Sequence, residues 1–198
     1  MDAFNLLKAD HRKVEELFSQ LESASGQAKM RVFEQIKTEL ELHTHIEETI
    51  FYPALEKPKQ THDLTLEAYE EHDVVKKLLR ELSRARTPNE EWEAKAKVLQ
   101  ENVEHHVEEE ENELFEKAEA ALSEEQIEAL GEKMETEKER KQRSATKSSS
   151  KKSANKSASK SRSASTAPKR ARATKKSGSK SSSKSSGTKR SKKSAKKR

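Results

Sequence analysis

The sequence has no cysteine, which excludes a disulfide framework and thiolate metal sites and fits a reducing cytosol. It has no apolar run approaching the roughly 18 residues that a bilayer-crossing helix needs, so no membrane partner is expected. Its opening, MDAFNLLKADHRKVEELF, lacks the charged start and apolar block of a secretory signal, and the expected location is cytoplasmic. No stretch alternates as a strand, and no hairpin turn pair occurs. Core-forming residues are scarce as well. The apolar set is 30% of the 198 residues and aromatics are 4%, against 39% charged.

Acidic residues are missing from one end altogether. Residues 140–198 hold 23 of the 41 Lys and Arg and none of the Asp, Glu or His. Residues 1–139 keep the other 18 basic residues against all 36 acidic ones, so the net charge of +5 conceals an acidic part and a basic arm. Such a split suggests a folded acidic domain with an arm suited to polyanions.

Residues 1–140 read as helix almost throughout. The first helix, about Asp2 to Ser23, carries Phe4, Leu7, Val14, Phe18 and Leu21 at spacings of three and four. Ser25-Gly26 breaks it. A second runs from about Gln27 to Tyr52–Leu55, with Pro53 and Pro58 ending it or kinking its last turn. A third runs from about His62 to Ala85, followed by a turn at Thr87-Pro88-Asn89, and a fourth from about Glu90 to Leu122. Ser123 to Gln126 resembles a capping box opening a short fifth helix through Leu130. Long helices with short connections predict an all-α, up-down-up-down four-helix bundle over 1–140. Beyond about Lys141 only Ser, Lys, Ala, Arg, Thr and a few other small or polar residues remain. That composition cannot bury enough apolar surface to offset ordering entropy of ~1–2 kcal/mol per residue, so 141–198 is expected to be a disordered basic tail.

The apolar seam of every long helix is interrupted by the same chemistry. His11 fills the gap between Leu7 and Val14. The second helix places His43 and Glu47 in its seam, the third places His72, and the fourth places His106 and Glu110. Each His-x-x-x-Glu pair is i, i+4 and lies on one helix face. Glu47 stands nine residues before Glu56 and His72 ten after His62, so both lie roughly 14 Å from their shared connection. A lone seam histidine is ordinarily a satisfied core residue, and a lone i, i+4 His-Glu pair is ordinarily surface decoration. Six such residues at one depth of four successive helices are neither. An ionised carboxylate in a dry core is costly unless paired, and imidazoles with carboxylates suit divalent first-row metals. Two glutamates can bridge two ions and leave two histidines for each, with an open coordination position for a small ligand. His45 and His105 fall off the seams and read as solvent-facing, although His105 replaces His106 if the register slips by one. His62 reads as a helix-start residue. Glu48, Glu108, Glu109 and Glu111 read as acidic surface or outer support, and Tyr52 and Trp92 as packing.

The segments ADHRKVEELF, HTHIEETIFYP, EEHDVV and HHVEEEENELF, in that order and spacing over roughly residues 1–135, resemble the hemerythrin-like cation-binding domains. The resemblance implies a four-helix bundle around a non-haem di-iron centre. Its metal ligands would be His11, His43, Glu47, His72, His106 and Glu110, with Glu47 and Glu110 bridging two iron ions; other divalent metals would suit the same donors. Oxygen-carrying members differ in having a second histidine on the third helix, where this chain has Lys76, and an Asp one position beyond Glu110. The four-His, two-Glu set is closer to many bacterial and iron-sensing members. Lys76 is expected in solvent, or near the open side of the centre. The tail resembles, in composition only, the arms of linker histones and some nucleoid proteins, and its cations can release counterions from DNA or RNA without sequence preference. The leading expectation is therefore a protein that binds or senses iron, O2 or a related small ligand and is held to nucleic acid by residues 141–198, an association that would place it at the nucleoid. Two alternatives stand beside it: an enzyme acting on peroxide or nitric oxide at the same centre, protecting bound DNA, and a metal-free head on a DNA-compacting arm.

Overall fold

The structure, a computed structural model, describes the backbone of residues 1–160 and the side chains of residues 1–144. Most of the basic tail expected over 141–198 lies outside the described residues. A compact unit spans Met1–Lys156, and among the described residues there is no strand. Among the described residues no helix is long and apolar enough to cross a membrane.

Helix α1 spans Ala3–Ser23 and begins where the Asp2 carboxylate accepts a hydrogen bond from the Asn5 backbone N–H at 2.9 Å. That bond satisfies one of the donors every helix start leaves open. Gly26, at φ +54°, makes the reversal into α2, Gly26–Ile46. Only glycine takes this left-handed backbone without strain. The second rod continues through a π-helical turn, Glu47–Phe51, into α3, Tyr52–Leu55. Pro53 therefore does not end the rod. Helix α4 covers Lys59–Leu82. Asn89 then caps α5, Glu90–Glu109, by accepting from the Trp92 N–H at 2.8 Å. A second π-helical turn, Glu110–Leu114, leads into α6, Phe115–Ala121. The four rods form the expected bundle of antiparallel neighbours, α1 against α2 and α4 against α5.

The capping box at Ser123 forms as the sequence suggests: Gln126 N–H donates to Ser123 Oγ at 3.3 Å, and the Ser123 N–H donates to Gln126 Oε1 at 2.9 Å. The helix it opens is not short. α7 runs Glu124–Lys160, past both the Leu130 end expected for it and the point where no structure was assigned. Tertiary contact explains the extension beyond Leu130. Ile127, Leu130 and Met134, spaced by three and four, are buried against the bundle, and side chains farther along pair with α1 and α2 residues.

The core is divided. One apolar cluster includes Leu7, Ile46, Phe51, Ala68 and Leu114 together with the docked face of α7. The other includes Val14, Leu40, Val75, Leu99 and Val103. On every rod the residues between the two clusters are His11, His43 with Glu47, His72, and His106 with Glu110. A polar layer thus cuts the greasy interior in two.

Helix α7 crosses α1 at Gly131. An added Cβ there would fall 2.6 Å from the Asp2 carbonyl carbon and 2.7 Å from the Ala3 nitrogen, against backbone that cannot swing aside. Gly131→Ala is expected to destabilise the metal-free protein by about 1–3 kcal/mol in urea unfolding, because the clash outweighs the ~1 kcal/mol helix-propensity gain. An unchanged or raised midpoint would contradict this packing.

Candidate metal centre

All six seam residues singled out in the sequence meet in the polar layer. The inward nitrogens face each other in pairs, His11 Nε2 to His43 Nε2 at 3.3 Å and His72 Nε2 to His106 Nε2 at 3.2 Å. Glu110 Oε2 lies 3.3 Å from His11 Nε2. Glu47 Oε2 lies 3.1 Å from His43 Nε2 and 3.3 Å from His72 Nε2. Glu47 is 0% exposed and Glu110 2%. His11, His43, Glu47 and Glu110 each offer an atom within 4.8 Å of the others, and Glu47, His72 and His106 form a second such group. Glu47 belongs to both. Glu110, expected as a second bridge, falls only in the first group, and its Oε1 accepts from the Tyr52 hydroxyl at 3.3 Å.

The π-helical turns begin at these two glutamates. Tyr52 N–H bonds back to the Glu47 carbonyl and Phe115 N–H to the Glu110 carbonyl, each five residues earlier. Pro53, which has no N–H to donate, follows the first turn directly, but no proline accompanies the second, so proline is not the common cause. What the two share is His-x-x-x-Glu-Glu. Such turns concentrate at functional sites, and here each changes the helical register beside an inward carboxylate.

The donor set fits a cation. Glu47 Oε1 lacks a partner among the described residues, and Glu47 Oε2 and Glu110 Oε2 face imidazole nitrogens at 3.1–3.3 Å. Orphaned buried carboxylates are costly, and breaking up a buried charge pair costs several kcal/mol. Four imidazole nitrogens and these oxygens are the donors a divalent first-row ion takes. Around them stands a ring of carboxylates that hold the outer imidazole nitrogens. His11 Nδ1 is 2.7 Å from Glu111, His72 Nδ1 2.9 Å from Glu48, and His106 Nδ1 2.7 Å from Glu71. His43 Nδ1 lies 3.8 Å from Asp10 Oδ2. Each Nδ1–H donated outward leaves the Nε2 lone pair facing the centre, which is how such partners orient metal-binding histidines.

Of this ring, Glu48 and Glu111 take the outer-support role that was one of the two readings of them, and the sequence pattern misses Asp10 and Glu71. A signal existed: Asp10-His11 with His43-x-x-x-Glu47-Glu48 is repeated by Glu71-His72 with His106-x-x-x-Glu110-Glu111. Tyr52, expected as packing, also brings its hydroxyl to 3.3 Å from His72 Nε2. His45, expected in solvent, is half-buried and pairs with Glu137 of α7 at 2.8 Å. Lys76 is partly shielded and ion-paired with Glu48. His105 does face solvent, at 61% side-chain exposure, so the register holds at His106.

Burial and mutual charge set the protonation of the layer. Burial pulls His11 down, but the hydrogen bond and charge of Glu110, with Glu47 and Glu111, outweigh it and raise this histidine to about 9. Burial lowers His43 to about 4. Burial, then the charge of Glu110, holds Glu47 above the usual carboxylate range. Glu110 is pushed up by burial but drawn down to about 2 by His11 and the other imidazoles. Burial and both glutamates keep the Tyr52 phenol protonated. His11 thus carries a proton at neutral pH that a cation must displace.

Two outcomes follow from this arrangement. Loading a divalent ion at pH 7 in weak buffer should release protons, readable with an indicator dye, and affinity should rise with pH up to about 9, where His11 becomes neutral; loading without proton release would contradict the protonation pattern. Glu47→Leu should abolish binding of the second ion yet raise the stability of the metal-free fold by about 1–4 kcal/mol, since it removes an orphaned buried carboxylate. A metal-free variant less stable than the parent would show that Glu47 is already satisfied.

Known proteins are similar to this chain to different extents. A hemerythrin HHE cation binding domain-containing protein from Mycobacterium kansasii, known from its crystal structure, superposes with a TM-score of 0.65 at 26% identity, over 74% of this chain and 90% of that one. A DNA nickase of Nostoc sp. is 31% identical over 129 residues, 65% of this chain; the chain spans 36% of that relative's length. The profile of the hemerythrin HHE cation binding domain matches residues 2–118, which include every residue of the polar layer. The chain therefore belongs to the hemerythrin HHE cation-binding family.

Proposed function

We propose that this chain is a non-haem di-iron protein that binds or senses iron, O2 or a related small ligand, and that its basic tail holds it to nucleic acid. The observation that carries the metal reading is the convergence of two buried carboxylates, Glu47 and Glu110, with four imidazole nitrogens, one Glu47 oxygen being left without any partner among the described residues. Glu47 and Glu110 with His11, His43, His72 and His106 would hold the ions; when bound, these supply a redox-active site for a small ligand.

The chain's own residues shape what reaches that site. A cavity of about 20 Å³ adjoins the four rings and is walled by Val14, Leu40, Val75, Val103 and Val107. Its size matches roughly one water molecule, and its walls are apolar. Such a pocket favours a small, weakly hydrated ligand, O2 or NO, over an ion. On the opposite side, Tyr52 holds a proton against Glu110 Oε1. That hydroxyl favours a second reading, turnover of peroxide or nitric oxide, because it is a proton source beside the centre. A metal-free head is disfavoured by the unpartnered Glu47 oxygen of the layer.

The nucleic-acid reading rests on the charge of residues 140–198, with 23 cations and no acid, and is consistent with similarity to a Nostoc protein named a DNA nickase. Counterion release makes such binding steeply salt-dependent, with a log–log slope of about −0.9 for each phosphate neutralised.

Anaerobic loading should give two irons per chain by metal analysis, with an optical spectrum that changes on O2 addition. Fewer than one iron per chain would overturn the reading; sustained consumption of peroxide would move it to the enzyme alternative. Removing residues 141–198 should abolish salt-sensitive DNA binding in filter or gel assays, and unchanged DNA affinity would exclude the tail as the contact.

A further inference from the structure

The family match ends at residue 118, yet α7, which begins at Glu124, reaches the polar layer. Three of the four outer imidazole nitrogens have a carboxylate within hydrogen-bond distance, but His43 does not. Its Nδ1 stands 3.8 Å from Asp10 Oδ2, and both atoms are buried without a hydrogen-bond partner. The other oxygen of Asp10, Oδ1, accepts from Lys138 Nζ on α7. Asp10 is 8% exposed and the Lys138 side chain 19%, so this pair is largely withdrawn from water, where an ion pair is screened less than at the surface.

We infer that Lys138 is a positioning residue of the metal centre, fixing the Asp10 carboxylate so that it can hold His43, and that α7 is thereby part of the centre. Lys138 anchors one of the Asp10 oxygens. The second oxygen is left free and aimed at His43 Nδ1. A short movement of either group makes the bond that orients His43 Nε2 inward. Lys76 plays a comparable part at another seam histidine: it pairs with Glu48, which holds His72 Nδ1. At both places a lysine anchors the carboxylate that faces the imidazole. Only at Asp10 does that lysine come from outside the four rods. Glu137, beside Lys138, pairs with His45 two residues from His43, so α7 grips the same stretch of α2 from a second point.

This inference rests on the metal reading above. It is tested on the full-length chain with Lys138→Met, which keeps the apolar stem of the side chain and removes the charge, with Lys138→Arg, and with Lys133→Ala on the exposed face of α7 as control. Iron release to a chelator, the optical spectrum of the loaded protein and hydrogen exchange of α7 are measured together. Removing an outer partner of a metal-bound histidine costs roughly 10–100-fold in affinity, and Lys138 acts one step farther out, so about 10-fold faster release is expected for Lys138→Met. A shifted spectrum should accompany it, with exchange protection of α7 retained, recovery in Lys138→Arg and no change in Lys133→Ala. Release at the parent rate would overturn the inference. So would failure of arginine to restore it, or loss of α7 protection in step with iron release, which would reduce Lys138 to a docking contact. If the parent chain itself takes up no iron, the metal reading fails instead, and the two failures are distinguishable.

Discussion

Two carboxylates and four imidazoles are pressed into a water-excluding layer where their charges find too few protein partners, and much of the molecule is arranged around that conflict. The apolar clusters above and below seal the layer. The helical seams give up core positions to it. Without a cation, His11 keeps a proton in the layer beside the ionised Glu110. Such a site opposes folding when empty and favours it when occupied, since any ligand that binds only the folded chain stabilises it by mass action. Metal affinity and stability of this domain are therefore two views of one quantity.

The surroundings show how polar groups are tolerated at such depth. Each outer imidazole nitrogen points to a carboxylate, and several of those carboxylates are in turn paired with a cation farther out. Charge alternates outward from the centre until it reaches solvent. The arrangement repeats approximately between α1–α2 and α4–α5, and the repeat is broken at two places. Tyr52 brings a hydroxyl into the layer where the matching position, Phe115, has none. Asp10 pairs with Lys138 of α7, whereas its counterpart Glu71 lies beside His105 of α5. These departures make the two halves chemically unequal, with a polar side toward Tyr52 and an apolar cavity on the other.

Much of this is readable without coordinates. Heptad-like spacing of Leu, Val, Phe and Ile forces amphipathic helices, short connections force antiparallel neighbours, and a histidine or glutamate at a seam position points inward by helical geometry alone. That is why the six central residues are identifiable from spacing, and why His106 rather than His105 lies inside. Residues at the edge of a seam are different. Asp10, Glu48, Glu71 and Glu111 sit one step beside an inward position. Whether such a side chain turns toward water or toward a neighbouring imidazole depends on which helix packs there, which periodicity does not encode.

The amino-acid sequence by itself determined the helical rods, the bundle and the depth at which polar residues interrupt its core, because these follow from local periodicity and from the cost of burying charge. Only tertiary structure decided the two π-helical turns, the aim of the Tyr52 hydroxyl, the small apolar cavity and the reach of α7. Each of these arises where separate helices meet, and contact between distant segments carries energies that no local pattern contains. The extent of α7 shows this most plainly: Ile127, Leu130 and Met134 bind it to the bundle, and Lys138 meets Asp10 across 128 residues of chain.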